Sequence, residues 1–105
     1  MPFRVDITDS AQRDIDDLAR YCRGYASAFW EEQEARLASV FDRWLSNSPY
    51  TWGFFFITGA PYRAYLFEVG ARTKYWIVYT IEEQAEVVNV LRVWNASRDP
   101  DQFQV

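Results

Sequence analysis

The sequence predicts an α+β fold in which an N-terminal strand and a helical hairpin precede a three-stranded meander, in the order β-α-α-β-β-β. Three features predict it: an alternating apolar segment near the N-terminus, two stretches with helical spacing, and three strand-like apolar runs joined by short connectors. A chain of 105 residues can form one compact core. We therefore expect a single domain over residues 1–105, with the hairpin packed against a small antiparallel sheet.

The first strand is predicted over residues 3–8, where apolar and polar side chains alternate with the period of a half-buried strand. The first helix follows at once. Asp9 precedes Gln12 by three positions, which is the spacing of a capping box. We expect this helix to end near Gly24. Its apolar face consists of Ala11, Ile15, Leu18, Ala19 and Cys22.

A second helix is predicted to start near Ser27, whose hydroxyl can cap it. Pro49, after a run of polar residues, ends it. The short hinge between the helices predicts an antiparallel hairpin that packs against the sheet. The apolar stripe of this second helix consists of Trp30, Leu37, Val40, Phe41, Trp44 and Leu45.

Residues 50–61 are open to two interpretations. Gly53, Gly59 and Pro61 favour a loop, whereas the apolar run 54–57 is compatible with a short strand or an apolar flap. A loop cannot easily bury several large rings, and an exposed apolar patch marks a partner surface. We therefore assign Trp52 and Phe55 to partner binding.

Three further strands are predicted over residues 62–69, 73–81 and 86–95. The connectors at 70–72 and 82–84 are only three residues long. Such short connections join antiparallel neighbours, so these strands should form a meander.

Composition excludes several kinds of chemistry. The chain has no histidine, which rules out nucleophile sites that need histidine as a base and ordinary histidine-based zinc sites. Cys22 is the single cysteine, so no intramolecular disulfide and no sulfur-rich metal site can be proposed. We predict neither a metal site nor a cofactor. Any acid–base chemistry is left to carboxylates, tyrosines, lysine or arginine.

The formal net charge of −4 argues against a protein that coats nucleic acid through bulk electrostatics. Locally, Arg63, Arg72 and Lys74 face only Glu68 within residues 60–80, so a modest cationic patch could still hold a phosphate. No apolar run is long enough to span a membrane, and the N-terminus lacks the apolar core of a signal peptide. We expect a soluble, cytoplasmic protein without a membrane partner.

Three motifs in the meander resemble the RelE/ParE superfamily of toxins from bacterial type II toxin–antitoxin pairs, a group also known as plasmid stabilisation proteins. PYRAYLF at 61–67 resembles the first meander strand, and TKYWIVYTI at 73–81 resembles the tyrosine-bearing strand. VVNVLRVWNASRDPDQF at 87–103 is similar to the last strand and its tail. The order of elements matches over nearly the whole chain.

The resemblance implies a growth-inhibiting toxin that is neutralised by a cognate antitoxin, with two activities known on the one fold. RelE-like members cleave mRNA in the ribosome, whereas ParE-like members poison DNA gyrase. A third alternative is a non-catalytic binding protein on the same fold. The sequence predicts no oligomeric state.

The chain departs from the endonuclease branch at three positions. Trp76 stands where that branch typically has arginine, Asn95 where the tail often has histidine, and Phe103 where a terminal tyrosine is expected. Cleavage of RNA without a metal needs several cations and a proton carrier close together. These departures therefore favour gyrase poisoning over mRNA cleavage.

Candidate site residues follow from the resemblance and from this chemistry. The catalytic candidates are Arg63, Tyr75 and Arg98. The candidates for binding a partner or target are Arg72, Lys74, Arg92, Asn95, Phe103, Trp52 and Phe55.

Several of these residues have a structural alternative. Arg63 could instead pair with Glu68 or a strand neighbour, and Arg92 could be a buried or half-buried member of an ion pair. Arg72 and Lys74 could simply lie in a solvated turn. Arg98 is the first choice for a site residue because it follows the last strand on a polar tail.

Overall fold

The computed structural model describes residues 2–55 and 61–105. Its layout confirms the predicted order of one strand, two helices and three strands. The strands are β1 (Arg4–Ile7), β2 (Arg63–Val69), β3 (Thr73–Glu82) and β4 (Val87–Asn95). The helices are α1 (Asp9–Arg23) and α2 (Ser27–Ser39), and α2 continues into a π-helical turn, Val40–Leu45. Short 3₁₀ turns span Pro49–Thr51 and Pro100–Gln102.

The four strands form one sheet in the order β1-β4-β3-β2. Strands β2, β3 and β4 are antiparallel neighbours, as the short connectors predict. Strand β1 is the exception, because it pairs in parallel with β4 and so makes the sheet mixed. A parallel pair needs a long crossover connection rather than a tight turn, and the helical hairpin lies within that connection.

Both predicted helix caps are shifted by one residue. Thr8, not Asp9, caps α1: its hydroxyl accepts a hydrogen bond of 3.2 Å from the Ala11 amide. The Thr8 amide itself donates to the Val90 carbonyl at 3.1 Å, which anchors the chain to β4 just before the helix begins. In α2 the capping position is Ala26, without a side-chain hydrogen bond, and Ser27 is the first helical residue.

The core lies between the helices and one face of the sheet. All five residues of the predicted apolar face of α1 are buried there. Along the second stripe the prediction is wrong for Trp44, which is 47% exposed. Trp44 lies in the π-helical turn, where i→i+5 bonding changes the angular spacing of successive side chains.

A second, smaller apolar cluster covers the opposite face of the sheet. Phe55, Ala64 and Val78 are buried in it, and Tyr62, Trp76 and Phe103 pack around them. Within the described ranges, no helix is both long and apolar enough to cross a membrane.

The C-terminal half of β4 extends past the end of β1, and α1 covers the edge that this leaves open. β1 pairs only with Val87 to Val90 of β4. The pairing with β3 shifts just beyond, where Val78 lies opposite Arg92 and Tyr79 opposite Val90. Asp14 of α1 then accepts a hydrogen bond of 2.9 Å from the Val93 amide, in place of a neighbouring strand. The end of β4 is thereby fixed against α1.

Candidate functional site

The end of the sheet where β3 begins and β4 stops brings five of the ten predicted site residues together. Tyr75 and Asn95 lie opposite each other in the β3–β4 register. A surface cavity of about 390 Å³ runs from Tyr21 of α1 across residues 72–75 to residues 95–97. A smaller adjoining cavity also contains Tyr75 and Asn95, and Arg98 lines it. We call Arg72, Lys74, Tyr75, Asn95 and Arg98 the candidate site.

Tyr75 lies at the centre of the candidate site and is buried. Burial raises the pKa of its hydroxyl above the ordinary value, and the nearby Arg98 only partly opposes that rise. The hydroxyl therefore stays protonated at neutral pH. Tyr75 can donate a hydrogen bond or a proton, but it cannot act readily as a base.

Asn95 shapes the turn that presents Arg98. Its side-chain oxygen accepts hydrogen bonds from the Ser97 amide at 2.9 Å and the Ser97 hydroxyl at 2.7 Å. The Arg98 amide donates to the Asn95 carbonyl at 3.1 Å. An asparagine that bonds to the backbone two residues on is a common turn former. The exposed guanidinium of Arg98 lies 5.3 Å from the ring centre of Trp94.

Arg72 and Lys74 lie in and beside the β2–β3 turn. Gly70 has a φ of +68° there, a conformation that residues with a side chain rarely adopt. Arg72 and Lys74 are both exposed. Across residues 2–55 and 61–105, neither they nor Arg98 form an ion pair within 4 Å. Lys74 lies opposite Glu68, and strand alternation directs its side chain to the sheet face away from Tyr75.

Arg92 lies at the margin of the candidate site and forms an ion pair. The sequence allowed either this structural role or a role in binding a partner or target. Its Nε and Nη2 donate to the two carboxylate oxygens of Asp14 at 2.7 and 2.9 Å. The side chains are only 17% and 14% exposed. Arg92 also donates to the Gln104 carbonyl, so it ties α1, β4 and the C-terminal tail together. The hydrogen bond to Asp14 raises the pKa of Arg92.

Arg63 lies at the other end of the sheet. It pairs with Tyr79, four residues along β3 from Tyr75, which corresponds to roughly 13 Å at ~3.3 Å per residue. Its guanidinium donates to the carbonyls of Trp52 at 2.7 Å and Tyr50 at 3.3 Å, so the suggested partner Glu68 is not the one it uses. The three catalytic candidates therefore do not form one cluster.

The predicted exposed apolar patch is present only in part. Phe54 is 67% exposed, but Phe55 is buried at 4% because its ring packs on Phe103 at 5.1 Å, on the face of the sheet opposite the helices. Trp52 is half-buried and packs edge-on against Tyr65 at 4.6 Å. The rest of the predicted flap, residues 56 and 57, and Gly59 lie outside the described residues.

Phe103 is also half-buried. Its ring lies 5.2 Å from that of Trp94, in addition to the contact with Phe55. The three predicted aromatic binding residues thus pack against other rings. They are far less exposed than the sequence suggests.

A row of aromatic residues that the sequence patterns did not reveal lies beside the candidate site. Tyr21, Tyr25 and Phe29 run across the turn between the helices, with ring centres 5.4 and 6.1 Å apart. We call these three residues the aromatic patch. Tyr25 is 71% exposed. These residues are spaced four apart in the sequence, which is typical of one face of a helix. The turn between α1 and α2 interrupts that helical pattern.

Comparison with known proteins identifies the family. No curated protein matches the chain. Residues 5–100 match the family model described as the ParE toxin of the type II toxin-antitoxin system, parDE. The match spans both helices and all but the first residue of the sheet. A toxin of such a system implies a cognate antitoxin as its partner. The chain belongs to the ParE toxin family.

Proposed function

We propose that this chain arrests bacterial growth by poisoning DNA gyrase and that its cognate antitoxin neutralises it. DNA gyrase is a cytoplasmic enzyme, so this proposal places the chain in the cytoplasm. In this proposal the candidate site binds its target without cutting it. Arg98, Arg72 and Lys74 provide positive charge, and Tyr75 donates a hydrogen bond. Asn95 holds the turn from which Arg98 projects.

One observation carries the preference for binding over cleavage. The candidate site contains one tyrosine, Tyr75, and burial raises its pKa. Cleavage of RNA through the ribose 2′-OH needs a group that removes a proton as well as one that supplies it. Arginine holds its proton at all ordinary pH values and cannot take that role. Strand alternation directs the Lys74 side chain to the sheet face away from Tyr75, so it does not act beside that hydroxyl. The candidate site is therefore better suited to hold an anionic or polar target surface.

The proposed structural role of Arg63 and Arg92 supports the same view. Both guanidinium groups hydrogen-bond within the protein, Arg63 to loop carbonyls and Arg92 to Asp14. Two of the cations that a nuclease would require are thus engaged in holding the fold. This leaves the exposed Arg98 as the residue on which the proposal depends most.

Regulated expression in a bacterial host tests the proposal. We expect growth arrest with double-strand breaks that require active gyrase, and rescue when the antitoxin encoded beside the chain is co-expressed. Arg98→Ala should abolish the arrest. Arg43→Ala removes an exposed arginine from the π-helical turn and should leave the arrest intact.

Two outcomes would contradict the proposal. Ribosome-dependent cuts in mRNA without gyrase-dependent breaks would favour the RelE-like alternative. Normal growth at confirmed expression of folded protein would favour a non-catalytic binding protein.

A further inference from the structure

Trp94, near the end of β4, contacts both ends of a short segment of the C-terminal tail. The exposed guanidinium of Arg98 lies 5.3 Å from the centre of the Trp94 ring. The ring of Phe103, five positions further on, meets the same ring edge-on with the centres 5.2 Å apart. We call residues 98–103 the tail loop. Trp94 is only 5% exposed, so one buried ring holds the tail loop at its two ends.

The sequence of the tail loop explains why the chain turns back onto this ring. Pro100 fixes the backbone φ at the start of the 3₁₀ turn. Asp99 caps the turn, since its Oδ1 accepts a hydrogen bond of 3.0 Å from the Asp101 amide. The Phe103 amide then donates to the Pro100 carbonyl at 3.1 Å. The turn therefore returns the Phe103 ring to the strand that the tail loop has just left.

The position of Trp94 is itself fixed by its neighbours. The guanidinium of Arg92 lies 5.1 Å from the centre of the Trp94 ring. That guanidinium is held by the two carboxylate oxygens of Asp14 and donates to the Gln104 carbonyl just beyond the tail loop. Trp94 also lies opposite Trp76 in the β3–β4 register. The ring on which Arg98 rests is thus a rigid platform.

The carboxylates around Arg98 all have other partners. Asp14 is bound to Arg92, Asp17 lies 3.0 Å from Arg20, and the carboxylate at the start of the tail loop caps its turn. In the part of the chain that the structure describes, the Arg98 guanidinium forms no ion pair within 4 Å. A guanidinium is attracted to the face of an indole ring, and this contact leaves its N–H groups able to donate to a target.

We propose that Trp94 is a positioning residue for Arg98, and that Phe103 acts by holding Trp94 and the tail loop rather than by touching the target. Arg98 and Trp94 line the same small cavity as Tyr75, so the ring orients the cation beside that hydroxyl. An arginine that already rests on a rigid ring loses less rotamer freedom when it binds. The proposal rests on the proposed function in one respect, namely that Arg98 contacts the target.

Nuclear magnetic resonance of the arginine side chains tests the positioning without gyrase. The ring current of an indole shifts protons above its face upfield, so the side-chain protons of Arg98 should resonate upfield of those of the exposed Arg43. Arg98→Ala identifies the resonances by their disappearance. The upfield shift should vanish in Trp94→Leu, persist in part in Trp94→Phe and decrease in Phe103→Ala, where the tail loop has lost one of its two contacts with the ring.

The linear DNA that purified gyrase forms from supercoiled plasmid measures the effect on function. Trp94→Leu should yield roughly threefold to tenfold less linear DNA than the wild type, which is the range of one cation–π contact. Trp94→Phe should recover most of that loss, because phenylalanine also presents a ring face. The matched control is Val88→Ala, which truncates a buried side chain near the start of the same strand. It should lower stability without changing the Arg98 resonances or the linear DNA.

Two outcomes would overturn the proposal. The first is a set of Arg98 resonances that match those of Arg43 in the wild type or stay unchanged in folded Trp94→Leu. The second is equal linear DNA from the wild type and folded Trp94→Leu. Circular dichroism establishes folding, and Phe103→Ala, at a half-buried position, supplies both comparisons if Trp94→Leu does not fold. Absence of linear DNA with the wild-type chain would count against gyrase poisoning alone, because the resonance comparison contains no gyrase.

Discussion

Asp14 of α1 and Arg92 of β4 form a two-pronged ion pair with hydrogen bonds of 2.7 and 2.9 Å, 78 positions apart in sequence. The same carboxylate accepts a third hydrogen bond, from the Val93 amide at 2.9 Å. This single side chain therefore closes the edge of β4 that β1 leaves open and fixes the strand that leads to the candidate site.

We predict that Asp14→Ala lowers the free energy of unfolding by about 3 kcal/mol, because it leaves the half-buried Arg92 and the Val93 amide without their hydrogen-bond acceptor. Urea denaturation followed by tryptophan fluorescence measures the change. Asp17→Ala is the matched control on the same helix, since its pair with Arg20 is exposed and should contribute little. Equal losses from the two variants would contradict the role given to Asp14.

Arg63→Ala should lower stability by about 1–3 kcal/mol, because it leaves the carbonyls of Trp52 and Tyr50 without their donor. It also removes the stacking of the guanidinium on Phe54, 4.4 Å from the ring centre. At a temperature where the variant remains folded, we expect gyrase poisoning to persist. Loss of activity with unchanged stability would restore Arg63 as a catalytic residue.

The tyrosines predict a loss of stability in alkali. Burial raises the pKa of Tyr79, with a partial offset from Arg63, and burial also raises that of Tyr75. Both hydroxyls stay protonated in the folded chain while those of the unfolded chain ionise near pH ~10. The contribution of these two tyrosines to stability should therefore be fully present below that pH and be lost as the pH rises above it.

Denaturation at several pH values between 8 and 11.5 measures how steeply the free energy of unfolding changes with pH. This range brackets the tyrosine pKa of ~10 in the unfolded chain. Tyr79→Phe should flatten the slope, although it lowers stability throughout, because the Tyr79 hydroxyl donates to the Pro49 carbonyl at 2.6 Å. An equally steep slope in both proteins would show that Tyr79 ionises normally in the folded state.

Tyr75→Phe distinguishes binding from catalysis at the candidate site. If the hydroxyl only donates a hydrogen bond to the target, its removal should reduce poisoning by roughly tenfold, the effect of about 1.4 kcal/mol. A proton donor in a cleavage reaction contributes about 10²–10⁴-fold. Dose–response curves with the purified variant decide between the two, and a loss above a thousandfold would favour catalysis.

Local patterns were sufficient to predict the helices and the meander. The apolar face of α1 is buried residue for residue, and the connectors at 70–72 and 82–84 imply the antiparallel pairing that is observed. The parallel pairing of β1 with β4 joins residues more than eighty positions apart. No pattern within a short segment of sequence indicates that β1 runs parallel to β4.

The sequence predicted the part of the candidate site that the C-terminal tail provides, but it did not predict which other residues lie near that tail. Arg98 and Tyr75 do lie close together, because the end of β4 runs beside the start of β3. Arg63 belongs to a different motif, on β2, and pairs with Tyr79 toward the far end of β3. Phe55 appeared exposed because its neighbours favour a loop, whereas Phe103 from the other end of the chain covers it. Both errors concern contacts between distant segments.

The cleavage of supercoiled plasmid by purified gyrase is the most direct test of the central claim. With ATP present and the reaction stopped by detergent and protease, the wild-type chain should convert plasmid to linear DNA only when gyrase is included. Arg98→Ala should yield at least tenfold less linear DNA at the same concentration, and Arg43→Ala should match the wild type. The absence of gyrase-dependent linear DNA with folded wild-type protein would contradict the proposed function.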